Sequence, residues 1–130
     1  FTQEASLKEI QERADVFSLH TPLTPETRSF INEEFLNKFS KNIWLMNTSR
    51  GEVAPIQDIL NLLETGKLRG AALDVLEKEK FHALSNVEKE LYYTLFKKCN
   101  VILSPHVAGW SFESYIKINQ VLIDKIKELG

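Results

Sequence analysis

Cysteine is nearly missing from this sequence of 130 residues, where Cys99 stands alone. One thiol cannot close a disulfide within the chain or build a cysteine-based metal cluster, so no metal site is expected. Cys99 itself reads as a small packing residue near a strand start. Long apolar runs are lacking too. None approaches the roughly 20 residues needed to cross a bilayer, and no basic, apolar, small-residue leader opens the chain. The expected compartment is the cytoplasm, with no membrane partner. Lysine and arginine form no run, and the net charge of -2 offers no general attraction for nucleic acid. Low-complexity tracts, Gly/Ser linkers and repeats of solenoid period are also missing.

What remains is an ordinary globular composition, in a chain long enough for one domain with a real core. A possible capping box, Ser6 followed by Glu9, opens a short amphipathic helix over 5–13, with Leu7, Ile10 and Ala14 on one face. A strand is predicted over Asp15–His20, ended by the two prolines of Thr21-Pro-Leu-Thr-Pro25. Pro25-Glu-Thr-Arg28 then predicts the start of a second helical segment, since proline and an acidic residue suit a first turn. Phe35, Leu36 and Phe39 share its apolar face. A strand over 42–47 leads into the polar turn Thr48-Ser-Arg-Gly51. Ile56, Ile59, Leu60 and Leu63 give the clearest helical spacing, over 55–64, and Thr65-Gly66 stops it.

A third strand is expected over Leu68–Leu76 and a fourth at Val101-Ile-Leu103. Between Glu79 and Asn100 periodicity fades, and 87–98 reads as either a short helix or a surface excursion. Ser111 to Leu129 is a final amphipathic helix with Tyr115, Ile118, Val121, Leu122, Ile126 and Leu129 facing one way. Alternating helices and short apolar strands predict an α/β fold, a partial doubly wound parallel sheet covered on both faces.

In such a sheet ligands sit beyond the carboxyl ends of the strands, which directs attention to the polar residues there. Arg50 carries a planar fork that binds a carboxylate through two bonds; a surface ion pair is the alternative. His106, after Ser104-Pro105, can exchange a proton near neutral pH. His20 ends a strand but reads equally as backbone lining for a ligand, and His82 reads as solvated. Asp74, Glu77 and Glu79 are each able to orient a histidine, or form a solvated acidic cluster beside Lys78 and Lys80. The turn after Asn47 has one glycine and no Walker lysine, which argues against a phosphate loop.

Four segments taken together carry a resemblance: His20-Thr-Pro-Leu-Thr-Pro-Glu-Thr27, Asn47-Thr-Ser-Arg-Gly51, Gly70-Ala-Ala-Leu-Asp-Val75 and Ser104-Pro-His-Val-Ala-Gly109. In order and nearly in spacing they resemble the D-isomer-specific 2-hydroxyacid dehydrogenases. Ala108-Gly-Trp-Ser-Phe-Glu-Ser114 looks most similar to phosphoglycerate dehydrogenase-like members.

The resemblance implies the C-terminal portion of a Rossmann-type NAD-binding domain over 1–109. It implies a helix over 110–130 that returns toward a substrate domain. Implied catalytic residues are Arg50, which would hold the substrate carboxylate, His106, the general acid and base, and Glu79, its carboxylate partner. Implied cofactor-lining residues are Thr21, Pro22, Thr27, Thr48, Ser49, Arg50 and Asp74. The implied cofactor is NAD, with NADP not excluded. The implied partners are a small 2-hydroxy or 2-keto acid, including a 3-phosphoglycerate-like one, and a second copy in a homodimer.

Two departures matter. Lys80 stands where the family usually has a proline after the glutamate, leaving Glu77 as the alternative to Glu79. The G-x-G-x-x-G turn and its acidic ribose reader are missing, and the chain opens on Phe1. The expectation is a part of a longer dehydrogenase, inactive by itself because it lacks the pyrophosphate-binding turn. A cofactor-sensing, corepressor-like protein is the alternative.

Overall fold

The computed structural model describes residues 3–128. Helix α1 spans Leu7–Arg13, and the Ser6 hydroxyl and Glu9 carboxylate cap it reciprocally. Its Ile10 and the following Ala14 press against the core, while Leu7 stays exposed. Strand β1 covers Val16–Leu19.

No helix forms at Pro25, contrary to the expectation. The Thr24 and Thr27 hydroxyls each accept the other residue's backbone N–H, at 3.3 and 2.8 Å, and close a turn instead. Such local bonds compete directly with helical ones. Ser29 then takes a left-handed φ of 53° and donates its N–H to the Glu52 carbonyl. The helix begins only at α2, Glu33–Asn37, where the Asn32 side chain caps the Phe35 N–H.

Strand β2 covers Ile43–Asn47, α3 covers Ile56–Glu64, β3 covers Leu68–Leu73, α4 covers Asn86–Phe96 and β4 covers Val101–Leu103. All three strand pairings are parallel and follow chain order, β1-β2-β3-β4. Parallel neighbours joined by right-handed crossovers place every connecting helix on the same face. Accordingly α3 contacts both α2 and α4. One continuous core results, built on Leu36, Phe39, Ile43, Leu45, Ile56, Ile59, Leu68 and Leu95.

The opposite face is bare. In β2 the buried residues Ile43, Leu45 and Asn47 alternate with exposed Trp44 and Met46, and Val16 and Ile102 are exposed on the edge strands β1 and β4. The parallel α/β class is as expected, but the described residues cover one sheet face where two were expected.

The segment after Glu79 resolves as a 3-10 turn at Phe81–Ala83 and then α4, which a second capping box opens through Ser85 and Glu88. Helix α4 buries Tyr92 and Leu95. Cys99 lies exposed beyond its end rather than packed, because the chain turns at the rim of the sheet before β4. The last helix, α5, spans Phe112–Glu128 and buries no residue. Tyr115, Ile118, Val121, Leu122 and Ile126 are all exposed, and Leu129 lies outside the described residues. Among the described residues, no helix is long and apolar enough to cross a membrane.

Candidate active site

The sheet register aligns the strand ends. Leu19, Asn47, Leu73 and Leu103 pair side by side, so His20, Thr48, Asp74 and Ser104 emerge on the same edge. Each of the next chain segments turns there, and two of those turns are built in detail.

The first turn is organised by Asn47, which is 1% exposed. Its Oδ1 accepts from the Ser49 N–H at 3.0 Å and from the Ser49 hydroxyl at 2.9 Å, while its Nδ2 donates to the Arg50 carbonyl at 3.0 Å. A buried amide satisfied this fully fixes the turn that presents Arg50. Arg50 takes part in no ion pair among the described residues. One of its nitrogens donates to the Ser49 carbonyl at 2.7 Å, leaving most of the fork unused. Gly51 follows because nothing larger fits. A Cβ there would stand 2.0 Å from the Leu76 carbonyl carbon and 2.3 Å from the Glu77 nitrogen. The Arg50 turn is therefore in backbone contact with the loop that carries Glu79.

The second turn is organised by Asp74, which is 5% exposed. Its Oδ1 accepts from the Ser104 hydroxyl at 2.6 Å and the Val107 N–H at 2.8 Å, and its Oδ2 accepts from the Ala108 N–H at 2.9 Å. Burial alone pushes the Asp74 carboxyl up. The bonds from Ser104, Ala108 and Val107, with the charge of His106, outweigh it and hold the group below its ordinary value.

Those bonds arch the chain over Asp74, and His106 sits within the arch at φ 55°. That conformation costs a side chain on the order of 1 kcal/mol. The His106 N–H offsets it by donating to the Asp74 carbonyl at 2.9 Å. The imidazole Nδ1 then lies 2.9 and 3.1 Å from the two oxygens of Glu79. Glu77 points elsewhere: its Oε2 accepts the Ile56 N–H at 2.9 Å and caps α3, a helix whose own N-cap, Pro55, has no side-chain acceptor.

Two grooves lie along this edge. One, of about 580 Å³, is lined by His20, Thr21, Pro22, Leu23, Thr48, Ser49 and Arg50. The other, of about 530 Å³, contains Asp74, Glu79, Ser104 and His106 against Leu76, Phe81, Phe96 and Leu103. Thr27 lines neither. Its hydroxyl donates to the Pro22 carbonyl at 2.8 Å and so braces the wall of the first groove from behind. His20 bonds the Ser18 hydroxyl through Nε2 at 2.8 Å, and His82 is exposed in the 3-10 turn.

Three supporting residues carry little or no signal in the sequence. Asn47 is a polar residue closing an alternating strand on its buried side, which is the one readable hint. Ser104 and Gly51 act on partners 30 and 25 positions away in the chain, which no local pattern reveals.

The family model described as D-isomer specific 2-hydroxyacid dehydrogenase, NAD binding domain, matches residues 1–108. The glyoxylate reductase of Thermofilum pendens is 39% identical over 108 residues, covering 83% of this chain and 30% of that protein. The D-3-phosphoglycerate dehydrogenase of Dictyostelium discoideum is 37% identical over 121 residues, covering 92% of this chain and 28% of that protein.

Among solved structures, the D-isomer specific 2-hydroxyacid dehydrogenase of Lactobacillus delbrueckii ssp. bulgaricus, in its NAD-complexed form, aligns with a TM-score of 0.78 at 33% identity. The D-lactate dehydrogenase of Aquifex aeolicus, complexed with NAD and lactic acid, aligns at 0.77 and 31%. Each alignment covers 96% of this chain and 40% of the other. The chain spans about a third of the length of the curated relatives it matches.

Proposed function

The chain belongs to the D-isomer-specific 2-hydroxyacid dehydrogenase family, and on that premise we propose that it carries the proton-transfer and carboxylate-binding groups of an NAD-dependent enzyme. That enzyme interconverts a small 2-keto acid and the corresponding 2-hydroxy acid. The observation that carries this reading is the Glu79 carboxylate at 2.9 Å from Nδ1 of His106, on the sheet edge that also presents Arg50.

With Nδ1 committed to Glu79, Nε2 of His106 serves the substrate. In reduction it gives its proton to the keto oxygen, and in oxidation it takes that proton back. The Glu79 carboxylate holds the ring through Nδ1 and so orients Nε2. Arg50 binds the substrate carboxylate through its unused N–H groups and stabilises the negative charge that develops on the keto oxygen. When bound, reduced NAD supplies the hydride that goes to the keto carbon.

The polar donors and acceptors of the first groove suit a nicotinamide and its ribose. Thr21, Pro22, Thr48, Ser49 and Arg50 would line it, with Thr27 acting through Pro22. Asp74 retains one uncommitted acceptor position on Oδ2 for the carboxamide. Residues 1–109 form part of the dinucleotide-binding domain, and residues 110–130 run toward the substrate domain of the whole protein. The bare apolar residues of α5 support that placement, since they need a cover. The whole protein acts as a homodimer in the cytoplasm, a reducing compartment compatible with the exposed Cys99 thiol. A cofactor sensor would have no use for the paired Glu79 and His106.

The test uses the full-length protein, with reduced NAD and reduced NADP each offered alongside glyoxylate, pyruvate and a phosphorylated 2-keto acid. Turnover with at least one of them is expected. Replacing Glu79 with Gln should shift the alkaline limb of the reduction profile to lower pH, since the ring then lacks the carboxylate that lies 2.9 Å from its Nδ1. Cofactor binding without turnover on any 2-keto acid would sink the dehydrogenase reading in favour of the sensor.

A further inference from the structure

Glu79 and His106 form a half-exposed pair, with side chains 48% and 44% accessible. Pairs of that exposure are worth little by themselves, because two flexible side chains must be ordered in competition with water. A stable pair therefore requires that the backbone on each side be fixed already. Asp74 does this for His106. The corresponding device on the Glu79 side lies in α4.

The backbone N–H of Lys78 donates to the Tyr92 hydroxyl at 2.8 Å, and the Lys78 ammonium meets the Glu88 carboxylate. Two residues beyond Glu79, the Phe81 ring packs edge-on against Tyr92 at 5.7 Å and tilts against Phe96 at 5.8 Å. Tyr92 and Phe96 also meet edge-on, at 6.1 Å. With Glu77 tied to the N-terminus of α3, positions 77, 78 and 81 are all anchored, and Glu79 is left free to face His106.

The charged groups around this point are Glu77, Lys78 and Glu79 in the loop, Glu88 on α4, and Asp74 and His106 opposite. Burial first, and then the charges of Glu77, Glu88 and Glu79, push the Tyr92 hydroxyl above its ordinary value despite the bond from Lys78. It therefore stays neutral and able to accept the Lys78 N–H throughout any working pH.

We infer that Tyr92 is a positioning residue for proton transfer: through the Lys78 backbone it holds Glu79 in register with His106. The inference rests on the dehydrogenase reading of that pair. Removing the hydroxyl widens the range of positions Glu79 samples, so a smaller share of molecules carries a carboxylate beside the imidazole.

The test is Tyr92→Phe in the full-length enzyme, beside Glu79→Gln and the double variant. Tyr92→Phe should move the alkaline limb of keto acid reduction to lower pH, in the direction of Glu79→Gln and by less than half as much. The KM for the keto acid should hold while kcat falls severalfold. In the double variant the Tyr92 substitution should add nothing, because there is no longer a carboxylate for it to place.

A purely structural Tyr92 would lower the melting temperature without moving the profile, and that result overturns the inference. A Tyr92 effect of full size in the double variant overturns it as well. If Glu79→Gln leaves the profile unmoved, the reading of the pair falls and takes this inference with it. If Glu79→Gln shifts the profile and Tyr92→Phe does not, only the role of Tyr92 falls. Should Tyr92→Phe fail to fold, Phe81→Leu loosens the same loop without exposing a buried polar group, and the same profile shift is expected from it.

Discussion

The Arg50 turn and the His106 loop solve the same problem with different chemistry. Each presents one side chain at a strand end, and each is folded around a single buried polar residue, the last residue of the same strand in one case and the residue just past the neighbouring strand β3 in the other. The Arg50 turn uses a neutral amide, Asn47, which both donates and accepts. The His106 loop uses a carboxylate, Asp74, which only accepts, and collects three donors. An amide holds its turn at any pH. A carboxylate grips harder, through charge-assisted bonds, but only while it is ionised. The loop that carries His106 is thus held by a group that itself titrates, a carboxyl kept below its ordinary value.

The contact between the two turns is the place where the largest effect is expected. Gly51→Ala would press a methyl group into the Leu76 and Glu77 backbone, where neither side is able to yield as a flexible side chain would. A loss of about 3 kcal/mol is expected. Arg50 and Glu79 should be displaced together, which denaturant unfolding and the KM for a keto acid would register. A melting curve and KM equal to those of the unaltered protein would show that the two turns are independent.

Next come the two organisers compared directly. Asp74→Ala and Asn47→Ala each remove three hydrogen bonds, but those to Asp74 are charge-assisted, so losses of about 2–3 and about 2 kcal/mol are expected at neutral pH. The more telling difference is with acid. Because the Asp74 carboxyl is held below its ordinary 3.8, its contribution is complete above that value and fades as pH falls through the depressed one. The amide resonances of Val107 and Ala108 should therefore shift in a titration below about pH 4, while that of Ser49 stays put. Parallel movement of all three would erase the distinction.

The smallest effect concerns α4. Hydrogen bonding from Lys78, and then from the Ser85 backbone and hydroxyl, lowers Glu88 from 4.5 to about 2. Its grip on the helix start is complete above pH 4.5 and is lost as pH falls toward 2. Glu88→Gln should remove that acid dependence from the helical circular dichroism signal, with little change near neutrality.

Several of these features are legible in the sequence. The Ser6 and Glu9 capping box, the α3 face and the strand ends at Asn47 and Leu103 depend on neighbours within a turn or two of the chain, and local spacing reports such contacts faithfully. The Pro25 segment misleads for the converse reason. Its proline and glutamate suit a helix, but the two threonine hydroxyls offer the backbone a competing set of bonds. Helix α4 is ambiguous because only Tyr92 and Leu95 are buried along it, too few to impress a clear period.

The sequence by itself determined that strands would alternate with helices and that an arginine, a glutamate and a histidine would stand at successive strand ends. Those properties follow from periodicity and from residue chemistry carried along the chain. Tertiary structure alone decided that Glu79 rather than Glu77 meets His106, that Asp74 folds the loop beneath it, and that Tyr92 secures the backbone beside it. Each of these choices links residues 14 to 34 positions apart. At that separation partners are selected by how the sheet edge and the helices pack, and nothing in local spacing specifies the outcome.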